Sequence, residues 1–299
     1  MSRARHLVLV NPSAGGGRAG RALPELERAL RNRGLDYRLV MTASLEQGCE
    51  EARRAASTGE IPVVMGGDGL IGQIGGLLAG GDVPLGVVPG GRGNDFARVV
   101  GIPTEIPAAV ELLAAGNTRA VDVGEVNGRR FLCIASCGFD SDANRIANQA
   151  QFVRGNLVYF YAALRALAAW KPAHFQLVLD GDRREVTGYS VAAANSKAFG
   201  GGMYLAPDAR LDDGRLDVVY VSQVGKLRYL ANLPKVFKGT HVQNDEVTVL
   251  RASEVEITAD RPFAVYADGE HLADLPASIR VLPGALDVIA PSAEPAVRG

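Results

Sequence analysis

Three apolar runs in the first hundred residues each lead into a glycine-rich turn, and this repetition constrains the fold more tightly than any other feature. His6–Val10 leads into Ser13–Gly20, Ile61–Met65 runs straight into Gly66-Gly67-Asp68-Gly69, and Leu85–Val88 leads into Pro89–Asp95. The segments between them carry helical spacing. Leu23, Leu26 and Leu30 recur at three and four up to Gly34, Leu45–Ala56 follows the run Tyr37–Met41, and Ile71–Leu78 follows the second turn. Short strands alternating with helices require a parallel sheet with right-handed crossovers. The loops at the carboxyl ends of such strands gather on one edge, where ligands bind.

The texture changes near Val121. Phe131–Ala135, Phe175–Leu179, Val186–Ala193, Leu216–Val221, Val247–Leu250 and Val255–Thr258 alternate or are rich in β-branched residues. Asn127-Gly128, Asp180-Gly181, Asp213-Gly214 and Asp268-Gly269 punctuate them, which predicts hairpins in an antiparallel sheet. Helices are expected at Gln151–Trp170 and Lys226–Phe237. The boundary is placed near residues 122–126, giving domains of 1–122 and 123–299, with the last segment able to pack back on the first domain. The tail after Pro291 is expected to fray.

Lys+Arg 32 against Asp+Glu 33 leaves a net charge of -1, so no global field attracts nucleic acid and any basic site must be local. Cys133 and Cys137 lie four apart and Cys49 is remote, a spacing that suits neither zinc nor a disulfide framework. A reduced, cytoplasmic protein is the expectation. The opening apolar run stops at Asn11-Pro12, unlike a signal peptide, and the stretch Leu157–Trp170 is interrupted by Arg165 and too short to span a bilayer.

Glycines let backbone N–H groups approach phosphate oxygens, so three converging loops predict a polyphosphate ligand, although each alone also serves as a tight turn. Gly15, Gly17 and Gly20 satisfy G-x-G-x-x-G, but the acid that would bind ribose is missing: Asp36 begins the second strand and Met41-Thr42-Ala43 ends it. Arg21 and Ala22 stand where a Walker A loop needs Lys and Ser or Thr. Asp68, just past a buried strand, must be paired, solvated at the sheet edge, or part of a metal–phosphate site. Asn94-Asp95 before Phe96-Ala97-Arg98 reads as a helix N-cap pair or as ligand contacts.

In this order, across some 280 residues, these segments resemble the bacterial diacylglycerol kinase and lipid kinase family, which includes sphingosine kinases. The resemblance is carried by Asn11-Pro12, Gly66-Gly67-Asp68-Gly69 and Gly91-Arg92-Gly93-Asn94-Asp95-Phe96-Ala97-Arg98 in the first half. In the second half it is carried by Cys137-Gly138-Phe139-Asp140, Gly200-Gly201-Gly202-Met203, Pro207-Asp208-Ala209, Asp212-Asp213-Gly214-Arg215-Leu216-Asp217, Asp268-Gly269-Glu270 and Pro283-Gly284-Ala285-Leu286. It implies a Rossmann-like ATP-binding α/β domain of the NAD-kinase and phosphofructokinase kind, a β-sandwich-like second domain, and an active site in the cleft between them. ATP would be the co-substrate, Mg2+ the cofactor, and a lipid hydroxyl at a membrane surface the acceptor. Asn11, Pro12, Gly66, Gly67, Asp68, Gly69, Gly91, Arg92, Gly93, Asn94 and Asp95 match the nucleotide site, with Asp68 also near Mg2+. Asp268 matches the general base, with Glu270 beside it. Asp213 matches a structural Mg2+ ligand, together with the carbonyls of Arg210 and Arg215. Read without the resemblance, Asp-Gly at 213 and 268 makes plain turns.

The chain departs from the family at four points: Leu70 and Arg92 replace Thr residues, and Gly72 and Gln73 stand where Asn and Glu are usual. Three outcomes are open: an active kinase with rearranged phosphate contacts, a kinase with an altered donor or acceptor, or an impaired relative that binds lipid or nucleotide. An NAD kinase, a phosphofructokinase and a dinucleotide oxidoreductase are the rival classes. Val224–His241 mixes Lys226, Arg228, Lys235 and Lys238 with Leu227, Leu230, Leu233 and Phe237. It reads either as a helix packed on the sheet or as one resting on anionic headgroups. Arg145, Arg154 and Arg165 offer a second basic face, or a solvated one. A homodimer is compatible with the sequence, and nothing in it selects one acceptor lipid.

Overall fold

The computed structural model describes residues 5–139 and 170–292. Its chain divides into two units, Met1–Val123 with Pro283–Gly299, and Gly124–Leu282.

In the first unit, strands β1 (His6–Val10), β2 (Tyr37–Met41), β3 (Ile61–Gly66) and β4 (Gly86–Pro89) form a parallel sheet in the order β2-β1-β3-β4. Every residue of β1 is buried, as a central strand covered on both faces requires. Helices α1 (Ala14–Arg21), α2 (Leu23–Asn32), α3 (Leu45–Ser57), α4 (Asp68–Leu78), α5 (Asp95–Val100) and α6 (Ile106–Ala115) connect and flank the strands. The chain steps from β1 outward to β2 and then returns to β3 on the other side of β1. The strand order therefore reverses between β1 and β3, which is where open α/β sheets bind ligands. Beyond β4, Leu85 donates to the Asp287 carbonyl and accepts from Ile289, so the closing segment lies alongside.

Two expectations need correction here. Ser13–Gly20 is not a simple turn: it coils into α1, in which Gly15, Gly16 and Gly17 take φ of 63, 72 and 84° in succession. A side chain at any of the three would be strained. Helix α6 was not anticipated, although Ile106, Ala109, Val110 and Leu113 bury at helical spacing.

The second unit is antiparallel. Its strands are β5 (Thr118–Val126), β6 (Arg129–Phe131), β7 (Ile134–Gly138), β8 (Ala173–Leu179), β9 (Asp182–Ala194), β10 (Leu216–Ser222), β11 (Val247–Ala252), β12 (Glu254–Ala259), β13 (Ala264–Ala267), β14 (Glu270–Asp274) and β15 (Ala277–Ile289). They run in the order β14-β13-β7-β9-β8-β12-β15-β5-β6, with β10 between β9 and β11, and β5 and β15 carry the chain between the units. Strand β8 alternates buried and more exposed residues, so its Phe175, Leu177 and Leu179 face the core. Phe139, Trp170, Phe175, Tyr189, Tyr229 and Phe263 pack there edge-on or stacked, at centroid distances of 4.4–6.4 Å. Helix α7 (Lys226–Val236) contributes Tyr229 to this cluster.

Three of the four predicted hairpin turns form. Asn127-Gly128, Asp180-Gly181 and Asp268-Gly269 all have positive φ at both positions, the type I′ requirement. Asp213-Gly214 is different: only Gly214 is left-handed, and the pair ends the loop that enters β10 rather than joining two paired strands. The expected strand Phe131–Ala135 is broken at Leu132-Cys133, between β6 and β7. The expected helix Gln151–Trp170, with Asp140, Arg145, Arg154 and Arg165, lies outside the described residues apart from Trp170.

Candidate functional site

The three glycine loops meet in backbone contact at the carboxyl ends of β1, β3 and β4. Asn11, leaving β1, donates its N–H to Met65 O at 3.0 Å, and its Oδ1 accepts from Ser13 N at 3.0 Å, ahead of which Pro12 turns the chain. Gly90 N donates to Gly66 O at 3.0 Å. A β-carbon on Gly91 would lie 2.5 Å from Gly67 Cα, and one on Gly15 would lie 2.7 Å from Gly90 O. Only hydrogen fits at these contacts.

Asp68 opens α4, but its carboxylate serves α5. Its Oδ1 accepts from Phe96 N at 3.2 Å, and the amides of Asn94 and Asp95 also act on it. Burial, reinforced by Asp95, pushes its carboxyl above the ordinary value, while these amides pull the other way. Asp68 thus caps α5 from a neighbouring loop. The N-cap expected of Asn94-Asp95 is corrected accordingly. Asn94 is left-handed (φ 52°), and its side chain turns back to Gly91, accepting from Gly91 N at 2.8 Å and donating to Gly91 O at 3.2 Å. Asp95 is buried and paired with Arg98 at 2.8 Å, and Arg98 also donates to the carbonyl of buried Gly93 at 2.9 Å.

Arginines surround these loops. Arg18 donates to Gly91 O, Arg21 donates to Gly16 O at 3.4 Å, and the Arg92 guanidinium lies 3.9 Å from where a β-carbon on Gly16 would stand. Arg98 is tied to Asp95, whereas Arg18, Arg21 and Arg92 form no ion pair among the described residues. Neither Arg18 nor Arg21 was singled out as a candidate in the sequence, although both follow the first glycine loop. Leu70, which stands where the family has Thr, turns inward. It is buried, and its methyl groups lie 3.0 and 3.1 Å from the β-carbon positions of Gly48 and Gly66. Gly69 follows Asp68 in the first turn of α4.

In the second unit, Asp268 opens the β13–β14 hairpin with φ 52°. Its Oδ2 accepts from Leu132 N at 2.7 Å and its Oδ1 from Cys133 N at 2.9 Å, so the break between β6 and β7 turns two amides toward this carboxylate. Glu270 follows on β14, exposed and in register with Ala267. Asp180 has the same turn geometry and accepts from Ser253 N and Glu254 N, both at 2.9 Å.

Among the described residues no group of three or more His, Cys, Asp or Glu is placed to hold a metal. Asp213 accepts from Arg215 N at 3.1 Å through Oδ1 and pairs with Arg251 through Oδ2. Arg210 pairs with Asp212 at 3.0 Å. Arg251 Nε also lies 3.9 Å from the buried Asp217. Burial pushes the Asp217 carboxyl up to about 6; Arg251 opposes this, while Asp213 and Asp208 add to it. One carboxylate with two carbonyls is hard oxygen chemistry that suits Mg2+, and Arg251 supplies positive charge at the same carboxylate. Removing that charge in Arg251→Ala should cost about 1–2 kcal/mol, below the usual figure for a broken buried pair because Arg251 is half exposed. Denaturation with and without millimolar Mg2+ would check it. Recovery of stability with Mg2+ would assign the cation site, and indifference would remove Asp213, Arg210 and Arg215 from metal binding.

A parallel sheet with glycine loops at its switch point and an antiparallel β unit are the architecture of this chain, and comparison with known proteins assigns it to the phosphotransferases. Residues 5–126 match the diacylglycerol kinase catalytic domain, and residues 133–290 match the YegS C-terminal NAD kinase beta sandwich-like domain. The chain is 36% identical to a diacylglycerol kinase of Mycobacterium tuberculosis over 292 residues, covering 95% of this chain and 94% of that protein. It is 28% identical to one of Staphylococcus aureus (strain MRSA252) over 298 residues, covering 97% and 93%. A crystal structure of a diacylglycerol kinase from Bacillus anthracis str. Sterne superposes with a TM-score of 0.77 at 24% identity, covering 99% of each chain, and shows the same fold. The chain belongs to the diacylglycerol kinase family and is a kinase.

Proposed function

We propose that the protein transfers the γ-phosphate of ATP to the hydroxyl of a lipid, of the diacylglycerol class named for its relatives, presented at a membrane surface. The observation that carries this reading is the backbone contact of three glycine loops beneath Arg18, Arg21 and Arg92. A triphosphate laid across them meets N–H donors and three guanidinium groups, and phosphoryl transfer is chiefly a matter of such positioning and charge neutralisation. Mg2+ bound with the nucleotide would neutralise further charge, and Asp68 is the carboxylate that would help to hold it.

Asp268 is the proposed base. The two amides fix its orientation, and a carboxylate so held is the kind of group that takes the acceptor's hydroxyl proton. Glu270 adds negative charge beside it. Leu70 is buried and packs against Gly48 and Gly66, so its side chain supports the second loop from within and offers no hydrogen bond to a phosphate. Arg92 then supplies, with a permanent cation, the donors that a Thr would have offered.

Incubation with γ-labelled ATP, Mg2+ and mixed micelles of hydroxylated lipids tests the reading. Label in a lipid product supports it and names the acceptor. No label together with no ATP binding would overturn it in favour of an impaired relative. Arg92→Ala should raise the KM for ATP about tenfold or more with a smaller change in kcat, as loss of one charge-assisted contact predicts. An unchanged KM would take Arg92 out of the site.

A further inference from the structure

We propose that the outward face of α7 (Lys226–Val236) docks the second unit on an anionic lipid bilayer. The inference rests on the lipid-kinase reading for its purpose, but its evidence is independent of the glycine loops. The helix is anchored from its inner side. Tyr229 stacks on Tyr189 at 4.4 Å, Leu230 and Leu233 pack on the core, and Arg228 grips buried Glu246 with two hydrogen bonds of 3.0 and 2.8 Å. Asn232 donates to the same carboxylate at 2.6 Å. These contacts fix which residues face outward.

The outward stripe is apolar where a surface helix is normally polar. Leu227, Ala231, Pro234 and Phe237 recur at spacings of four, three and three, and all four are exposed. Leu227 is 83% exposed and Phe237 51%, which makes Leu227 by far the most exposed of the large apolar side chains named among the described residues. Lys226, Lys235 and Lys238 stand exposed beside the stripe. From Val224 to His241 the chain has four basic residues and no acidic one, although its overall charge is -1. Glu246, the acid that touches the helix from a neighbouring loop, is committed to Arg228 and Asn232. An apolar ridge flanked by exposed lysines complements a surface that is anionic outside and apolar beneath. Both readings of this segment made from the sequence therefore meet on opposite faces of the same helix.

The test uses the full chain and vesicles of phosphatidylglycerol with phosphatidylcholine, or of phosphatidylcholine alone. Sedimentation should show binding to the anionic vesicles, reduced at least tenfold in Leu227→Glu/Phe237→Glu, whose substitutions are on the surface and spare the fold. A Leu227→Trp variant should be quenched by brominated lipid, with the wild type, whose single Trp170 is buried, as the blank. Transfer to a water-soluble short-chain acceptor should be the same in the double Glu variant as in the wild type. Equal vesicle binding by the double variant and the wild type, or an unquenched Leu227→Trp, would overturn the proposal. So would binding that ignores anionic lipid content, or a stripe that instead drives self-association without vesicles. Quenching without any kinase activity would leave the docking face standing and remove the lipid-kinase reading alone.

Discussion

Asp268→Asn should lower kcat about a thousandfold while the protein stays folded, because a carboxamide cannot take the acceptor's proton. The Asn oxygen can still accept one of the two N–H groups that now reach the carboxylate from Leu132 and Cys133. Its amino group would face the other, at a cost of about 1–2 kcal/mol. Stability and catalysis are therefore entangled at this residue, and a control is needed. Asp180 provides one: it has the same left-handed turn position, and its carboxylate likewise accepts backbone N–H groups from a neighbouring strand. Asp180→Asn should lose comparable stability and keep its kcat. Turnover and denaturation midpoints measured on both variants separate the roles. If Asp268→Asn keeps kcat within tenfold of the wild type, Asp268 is a hairpin anchor like Asp180, and the base must be sought elsewhere.

Gly91→Ala should be the most damaging small substitution in the first unit. Its β-carbon would sit 2.5 Å from Gly67 Cα and 3.0 Å from Asn94 Oδ1, and the nearer atom is backbone, which cannot rotate away. Relief requires the β3 and β4 loops to part, which breaks the Gly90 N to Gly66 O hydrogen bond and shifts Asp68 from the α5 amides. Overpacking of this kind costs about 2–3 kcal/mol. If these loops bind phosphate as proposed, moving their amides by about an ångström should weaken ATP binding by about tenfold to a hundredfold. Calorimetric titration with ATP and chemical denaturation check the two effects together. Gly225→Ala is the matched control, since its β-carbon would meet nothing within 4 Å at an ordinary φ of -63°. Wild-type affinity in Gly91→Ala would show that the loops need not touch.

Periodicity was enough for the parallel strands and for most helices, since burial on both faces and helical spacing leave a mark in a single sequence. Helix α6 carried the same mark at Ile106, Ala109, Val110 and Leu113 and was passed over. The type I′ turns at Asn127, Asp180 and Asp268 were legible because Asx-Gly pairs tolerate left-handed backbone. Asp213-Gly214 shows the limit of that signal: the same dipeptide ends a loop, because β10, the strand after it, pairs with β9 and β11 instead of folding back on the loop. Long-range hydrogen bonds were wholly hidden. Asp68 lies 28 residues from the amide it caps, and Asp268 lies 136 and 135 from those it accepts.

By itself, then, the sequence determined the two textures of the chain, the convergence of three glycine loops on one sheet edge, and the family. These depend on local spacing, backbone tolerance and residue order, all of which are one-dimensional. Only the tertiary structure decided where the ambiguous side chains point. It turned Leu70 into the core, set Arg92 over the first loop, made Asp68 the cap of α5, and left Leu227 facing outward on α7. A side chain's direction depends on which neighbour is packed against its backbone, and that neighbour comes from far along the chain.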